Sequence, residues 1–290
     1  MKDHYRPLPQ PKHDPGKHAT PWHREVAAAG TILRAEVGSG VHGTSVSGYD
    51  DRDEMGVCIE PADAVIGFNK FEQYEWHTAW EREGGRKNRS GHGDLDITVY
   101  SLRKWMRLAA GGNPSVLVLL FAPEEKIEEI SIAGRELRDD MTPYIVSRKA
   151  GDRFAGYLHA QRKGLLSHDG KGRDVTRPEL IEKFGFDTKF AGHMVRLGIQ
   201  GVELLMTGKL TLPMPERYRE LVKDIRRGEY SMQDCLDMAE ELEAEIRGLM
   251  ASSTLRPQPD WDRINAWTCE VYRRAWSRQG NTVKGYEGAY

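Results

Sequence analysis

GSGVHGTSVSGYDDRDEMGV, residues 38–57, is the stretch on which the reading of the whole chain turns. It opens on Gly38-Ser39, where a backbone without a Cβ can bend sharply and come close to a ligand. Backbone N–H groups and the Ser39 hydroxyl in such a turn can hold phosphate oxygens. It closes on the acidic knot Asp50-Asp51-Arg52-Asp53 and runs into Met55-Gly-Val-Cys-Ile59, an apolar segment of strand length. Asp51 and Asp53 are two apart, so on an extended segment both carboxylates point to one side. Neighbouring carboxylates repel unless a cation lies between them, and Mg²⁺ takes carboxylate oxygens together with substrate phosphates. A phosphate-holding turn, a loop and a carboxylate pair are the parts that metal-assisted phosphoryl or nucleotidyl transfer requires.

The same residues resemble the signature of the DNA polymerase beta-like nucleotidyltransferases, in which Gly-Ser is followed roughly a dozen residues later by Asp-x-Asp. Within that superfamily the chain is most similar to the uncharacterised predicted nucleotidyltransferase family, which reads Gly-Ser, a glycine-rich loop, Ser-Asp-x-Asp, then Gly-Val. The loop here is one residue longer than that pattern. Aligned backwards from Gly56-Val57, the carboxylate pair is Asp51 and Asp53. Aligned forwards from Gly38, Asp50 takes the first place and Arg52, which cannot hold a metal, the second. The backward alignment is preferred because the pair must sit at the strand and loops absorb insertions.

Downstream, Asp94-Leu-Asp-Ile-Thr-Val-Tyr100 alternates as a strand, with Leu95, Ile97 and Val99 on one side and Asp94, Asp96 and Thr98 on the other. The resemblance implies a third carboxylate on a strand beside the first pair. Asp96 fills that place, with Asp94 as the alternative. Ser101 caps a following amphipathic helix with Leu102, Trp105, Met106 and Ala109 inward. Gly112 to Phe121 again resembles the family, except that Val118 stands where the family usually carries Glu, which leaves that residue's role open here. A long helix is expected from Asp187 to Gly208, capped by Asp187 or Thr188. On it Lys189, His193 and Arg196 form one polar stripe suited to a phosphate chain, apart from the apolar face of Phe190, Met194, Leu197 and Leu204. A surface stripe is the alternative. Ser231-Met-Gln-Asp234 reads as a capping box that opens an acidic helix to Met250, and a last helix is expected over Trp261–Arg278.

Composition bounds the rest. The chain has 290 residues, 39% hydrophobic and 30% charged, with formal net charge −2, so no overall basic field draws it to nucleic acid. Three cysteines far apart show no metal spacing and fit a reducing, cytoplasmic setting. The longest apolar run, Val116 to Ala122, is too short to span a bilayer. Residues 1–20, with four prolines, read as an extended or disordered tail. Residues 21–149 read as the core, 150–255 as a helical domain, and 256–290 as a C-terminal helix and tail. Trp22 to Leu33 is expected as the first helix, from Val26, Ala29 and Leu33. Phe68, Phe71, Tyr74, Trp76 and Trp80 could stack a base or serve packing. Arg82, Arg86, Lys87 and Arg89 make a basic loop, either a solvated segment or a grip on a strand backbone.

The expected fold is α+β: a small mixed sheet flanked by helices, followed by a helical domain. The resemblance implies a nucleotidyltransferase in which Gly38, Ser39, Lys189, His193 and Arg196 bind the NTP. Asp51, Asp53 and Asp96 would hold Mg²⁺ or Mn²⁺. An acceptor hydroxyl, on RNA, a protein or a small compound, would take the NMP with release of pyrophosphate. The rival readings are a catalytically weak nucleotide- or RNA-binding regulator on the same fold, and a nuclease or phosphohydrolase using the acidic cluster on water.

Overall fold

The computed structural model describes residues 6–10, 16–46, 50–88, 90–167 and 177–278. Arg89, residues 168–176 and 279–290 and half of the N-terminal tail lie outside them, as does the side chain of Arg86. Among the described residues a five-stranded mixed sheet runs β3-β4-β2-β1-β5. Its strands are β1 (Thr31–Val37), β2 (Arg52–Cys58), β3 (Gln73–His77), β4 (Leu95–Ser101) and β5 (Ile127–Ile130). Only the β2–β4 pair is parallel, and it sets Asp53 directly beside Asp96. The architecture is the α+β one expected: a mixed sheet flanked by helices, with a helical C-terminal region.

Helix α1 (Pro21–Gly30) starts where Thr20 accepts from the His23 N–H and stops at Gly30, three residues before the expected end. Leu33 belongs instead to β1, where it is fully buried. Helical spacing alone pointed the other way, but β-branched Thr31 and Ile32 and pairing with two neighbouring strands decide it. Gly30 has no room for a side chain, since a Cβ there would lie 2.2 Å from the Ile59 carbonyl oxygen. After β1 comes a short helix, α2 (Gly38–His42), and after β2 another, α3 (Ala62–Val65).

One sheet face, with Leu33, Ala35, Val37, Met55 and Val57, packs on α4 (Leu102–Ala110) and α5 (Pro114–Phe121). The Ser101 cap is present: its hydroxyl accepts from the Lys104 N–H. Val118 is buried in this apolar core, away from the acidic cluster. The other face, with Cys58, Ile97 and Val99, packs on α1 and on Phe71 and Tyr74. Leu8 is buried against it, and the Tyr74 hydroxyl donates to the Pro9 carbonyl at 2.5 Å, so residues 6–10 are tied to the sheet.

Two short helices, α6 (Ile132–Asp139) and α7 (Thr142–Ile145), lead into the helical region. It comprises α8 (Lys149–Ser167), α9 (Pro178–Phe184), α10 (Thr188–Thr207), α11 (Glu216–Arg227), α12 (Met232–Ser252) and α13 (Trp261–Arg278). Asp187 caps α10 by accepting from the N–H groups of Lys189 and Phe190. The Ser231–Asp234 capping box opens α12 as expected. Phe154, Leu197, Leu204 and Ile246 of this region share one core cluster with the sheet. Glycines on α10 permit the approach: a Cβ at Gly198 or Gly201 would meet Leu242 or Ile246 at 2.7 Å. Among the described residues no helix is long and apolar enough to cross a membrane.

Candidate functional site

The turn at Gly38 is forced by two facts. Its φ is +66°, open to glycine and costly for a side chain, and an added Cβ would sit 2.0 Å from Asp53 Oδ2. The glycine thus brings the start of α2 against the second aspartate of the pair. Ser39 follows in the first turn, its hydroxyl accepting from the Ser45 hydroxyl at 3.2 Å.

Across from this turn, Asp51, Asp53 and Asp96 converge, with one carboxylate oxygen of each lying within 4.8 Å of the others. Among the described residues no Lys or Arg pairs with any of the three, and only His77 lies within ion-pair distance, at Asp96. Burial first, then the charges of Asp51 and Asp96, push the Asp53 carboxyl up to about 6, although Lys189 and His77 pull the other way. Such a cluster is costly by itself and suits a divalent cation. Asp96 is held from two sides: Ser90 Oγ donates to Oδ1 at 2.6 Å, and His77 Nδ1 lies 2.9 Å from Oδ2.

Asp50, before the pair, and Arg52, between its members, have other partners. Asp50 lies in a buried pocket, where Arg226 Nη2 reaches both its oxygens at 2.7 and 2.9 Å. The Val46 N–H donates to it at 2.8 Å, and Lys189 Nζ lies 3.4 Å away. Burial alone would raise its pKa, but the Arg226 and Val46 hydrogen bonds and the charges of Arg226 and Lys189 bring it below the ordinary value. Arg52 pairs with Glu36, Glu54 and Glu128. Asp50 is thus held away from the cluster, and Asp51 and Asp53 are the two that lie against Asp96. Asp94, the alternative to Asp96, binds Arg82 and accepts from the Gly91 N–H at 2.8 Å. It shapes the loop beside the cluster and is not a member of it.

A cavity of about 1020 Å³ opens over the carboxylates, between the sheet edge and α9–α11. Asp51, Asp96, Lys189 and Arg226 line it. The polar stripe of α10 divides at this point. Lys189 reaches the cavity, whereas His193 and Arg196 do not line it. Arg196 Nη1 instead lies 2.7 Å from His42 Nε2 and donates to Gln200 Oε1 at 2.7 Å, while Gln200 Nε2 lies 3.1 Å from His42 Nδ1. His42 is the last residue of α2, so α10 grips the helix that the glycine turn begins. Burial and nearby cations depress His193 to about 3, and burial with Arg226 lowers Arg196 to about 10. Burial, Arg196 and His193 also hold His42 well below its ordinary value.

The sequence reading did not single out His77, Ser90, His42, Gln200 or Arg226 as site residues. His77 ends β3, a strand that pairing with β4 defines and that its own alternation does not announce. Arg226 is one of several cations on α11, and nothing local links it to a residue 176 positions away.

A five-stranded mixed sheet, a glycine turn and three convergent carboxylates define the DNA polymerase beta type of arrangement. The family model described as RNA repair pathway DNA polymerase beta family matches residues 20–270, and the chain belongs to that family. No curated protein and no solved structure matches the chain. Membership supports nucleotidyltransferase chemistry at the level of the family.

Proposed function

We propose that the protein transfers a nucleotidyl group from an NTP to a hydroxyl acceptor, with RNA as the acceptor class that the family description favours. The observation that carries this reading is the convergence of Asp51, Asp53 and Asp96 within 4.8 Å beside the Gly38 turn. Asp51 and Asp53, with Asp96, would hold divalent metal, Mg²⁺ or Mn²⁺. When bound, the metal supplies charge neutralisation to the phosphates and lowers the pKa of a coordinated hydroxyl.

The chain's own residues supply the rest. Gly38 and Ser39 present backbone N–H groups and a hydroxyl to the β- and γ-phosphates. Lys189, which lines the cavity, adds a point charge. Ser90 and His77 fix the orientation of the Asp96 carboxylate, which would take the proton of the acceptor hydroxyl. The acceptor oxygen bonds to the α-phosphorus as the bond to the β-phosphate bridge breaks, and pyrophosphate leaves. His42, Gln200 and Arg196 keep α2 in place, and Arg226 keeps the loop from α2 to β2 in place.

The test is to incubate the protein with each NTP, Mg²⁺ or Mn²⁺ and RNA, and to measure pyrophosphate and label transfer. Release of pyrophosphate together with labelled RNA is expected. Orthophosphate release or RNA cleavage in its place would favour a hydrolase.

A further inference from the structure

The transfer reading gives no role to the part of the cavity edge beyond His77. Across the sheet the order is β1, β2, β4, β3, so Gly38 lies at one side of the carboxylates and His77 at the other. Displacement at phosphorus places attacking and leaving oxygens roughly in line. If pyrophosphate leaves toward the Gly38 turn, the acceptor enters from the β3 side.

That side carries an aromatic pair. Trp80 stands in the 3₁₀ turn Thr78–Glu81 that follows β3, with its ring centre 4.0 Å from that of His77 and the planes 32° apart. Both side chains line the cavity. Among the aromatics of 62–80, Phe71 and Tyr74 are buried in the core and Phe68 is fully exposed, while Trp80 borders the space above Asp96. The turn is held in place. Thr78 Oγ1 donates to the Leu95 carbonyl at 3.2 Å and accepts from the Leu95 N–H at 3.0 Å, and Asn88 Nδ2 donates to the Ala79 carbonyl at 3.0 Å. On the facing wall Phe184 and Lys183 line the same cavity, and among the described residues no carboxylate lies within ion-pair reach of Lys183.

Resting on the transfer reading, we propose that Trp80, backed by His77, is the platform on which the terminal base of a single-stranded RNA acceptor stacks. His77 joins the platform to Asp96 through its 2.9 Å contact, so a base stacked on Trp80 would have its ribose on the side of that carboxylate. Lys183 then lies across the cavity, where the strand's phosphates can reach it. A π-face is common to every base, so the platform accepts any terminal nucleotide with little preference.

The experiment uses the full chain with Mg²⁺, no NTP, and a short RNA carrying 2-aminopurine either at its 3′ terminus or several residues inside. Stacking on Trp80 quenches the terminal probe and spares the internal one. W80L should bind the RNA about tenfold or more weakly and lose the quench, the size expected for one base on one aromatic. W80F should retain most of both. Equal quenching at the two placements, no quenching at either, or an undiminished quench in W80L would overturn the proposal. Where W80L does not fold, the comparison of placements on the unsubstituted protein decides alone. The readout is binding, so it can fail while pyrophosphate release succeeds, and the reverse. Pyrophosphate release supported by a protein acceptor, with no RNA quench, would discard the platform and keep the transfer.

Discussion

Two polar clusters lie on opposite sides of α2, and the fold treats them in opposite ways. On the sheet side Asp51, Asp53 and Asp96 crowd like charges together, and the Asp53 carboxyl is driven up to about 6. On the helical side Arg196 donates to Gln200 Oε1, and both side chains reach the uncharged His42 ring, all at 2.7–3.1 Å. Polar groups satisfied among themselves hold a structure together. Charges left uncompensated cost stability, and their retention makes sense when something outside the chain completes them. This contrast separates Lys189, which faces the first cluster, from Arg196, which serves the second, although one helix places them on one line.

Substitutions can break the contrast, and the largest effect belongs to the acidic side. D53N should lower nucleotidyl transfer by about a thousandfold or more, the scale set by several kcal/mol of lost metal stabilisation. The same change should stabilise the metal-free protein. Asp53 has a folded pKa of about 6 against an ordinary 3.8, so its ionisation opposes folding above pH 6. That penalty shrinks as pH falls from about 6 through 3.8, below which the carboxyl is mostly protonated in both states. Calorimetry should therefore find D53N melting higher than the unsubstituted protein at pH 8, with most of the gap closed by about pH 4. A gap independent of pH would remove the charge cluster as its cause.

R226A comes next. It leaves Asp50 buried with Lys189 as its remaining charged partner, since both side chains of the broken pair are only 7% exposed. Urea unfolding should show a loss of about 3 kcal/mol. A rise in KM for the NTP should accompany it, because the loop from α2 to β2 is then held less firmly. H77A should act on the acidic side without removing a carboxylate. Losing the partner that orients Asp96 should cost about tenfold in activity, with the overall stability little changed. H42A should be the mildest, about 1 kcal/mol near pH 8 from the lost contacts of its ring, read by the same urea titration. Because His42 is held neutral in the fold while an unfolded His takes up a proton below about pH 6.5, that loss should shrink as pH falls from 8 toward 5.

The parts of the fold and site that were legible in the sequence are the local ones. Gly38-Ser39 and Asp51-x-Asp53 sit within one turn and one strand start, and the Ser101, Asp187 and Ser231 caps bond to groups two or three residues away. The partners that complete the site come from elsewhere. His77 reaches Asp96 through strand pairing, and Arg226 reaches Asp50 by the packing of α11. Leu33 illustrates the same limit, its helical spacing overridden by pairing of β1 with two strands. The ambiguity between Asp94 and Asp96 was of the same kind. Alternation put both on one side, and the Arg82 and Gly91 contacts of Asp94 separate them. On the helical stripe, spacing correctly grouped Lys189, His193 and Arg196 but carried no information on which of them the neighbouring α2 would engage.

The central claim is that Asp51, Asp53 and Asp96 form a divalent-cation site, and titration with Mn²⁺ followed by the paramagnetic resonance of the free ion tests it most directly. Binding to the unsubstituted protein should strengthen about tenfold per pH unit up to about 6, as Asp53 loses its proton, and then level off. D53N should bind far more weakly and without that dependence. Equal Mn²⁺ binding by the two proteins, or an affinity indifferent to pH in the unsubstituted one, would contradict the account.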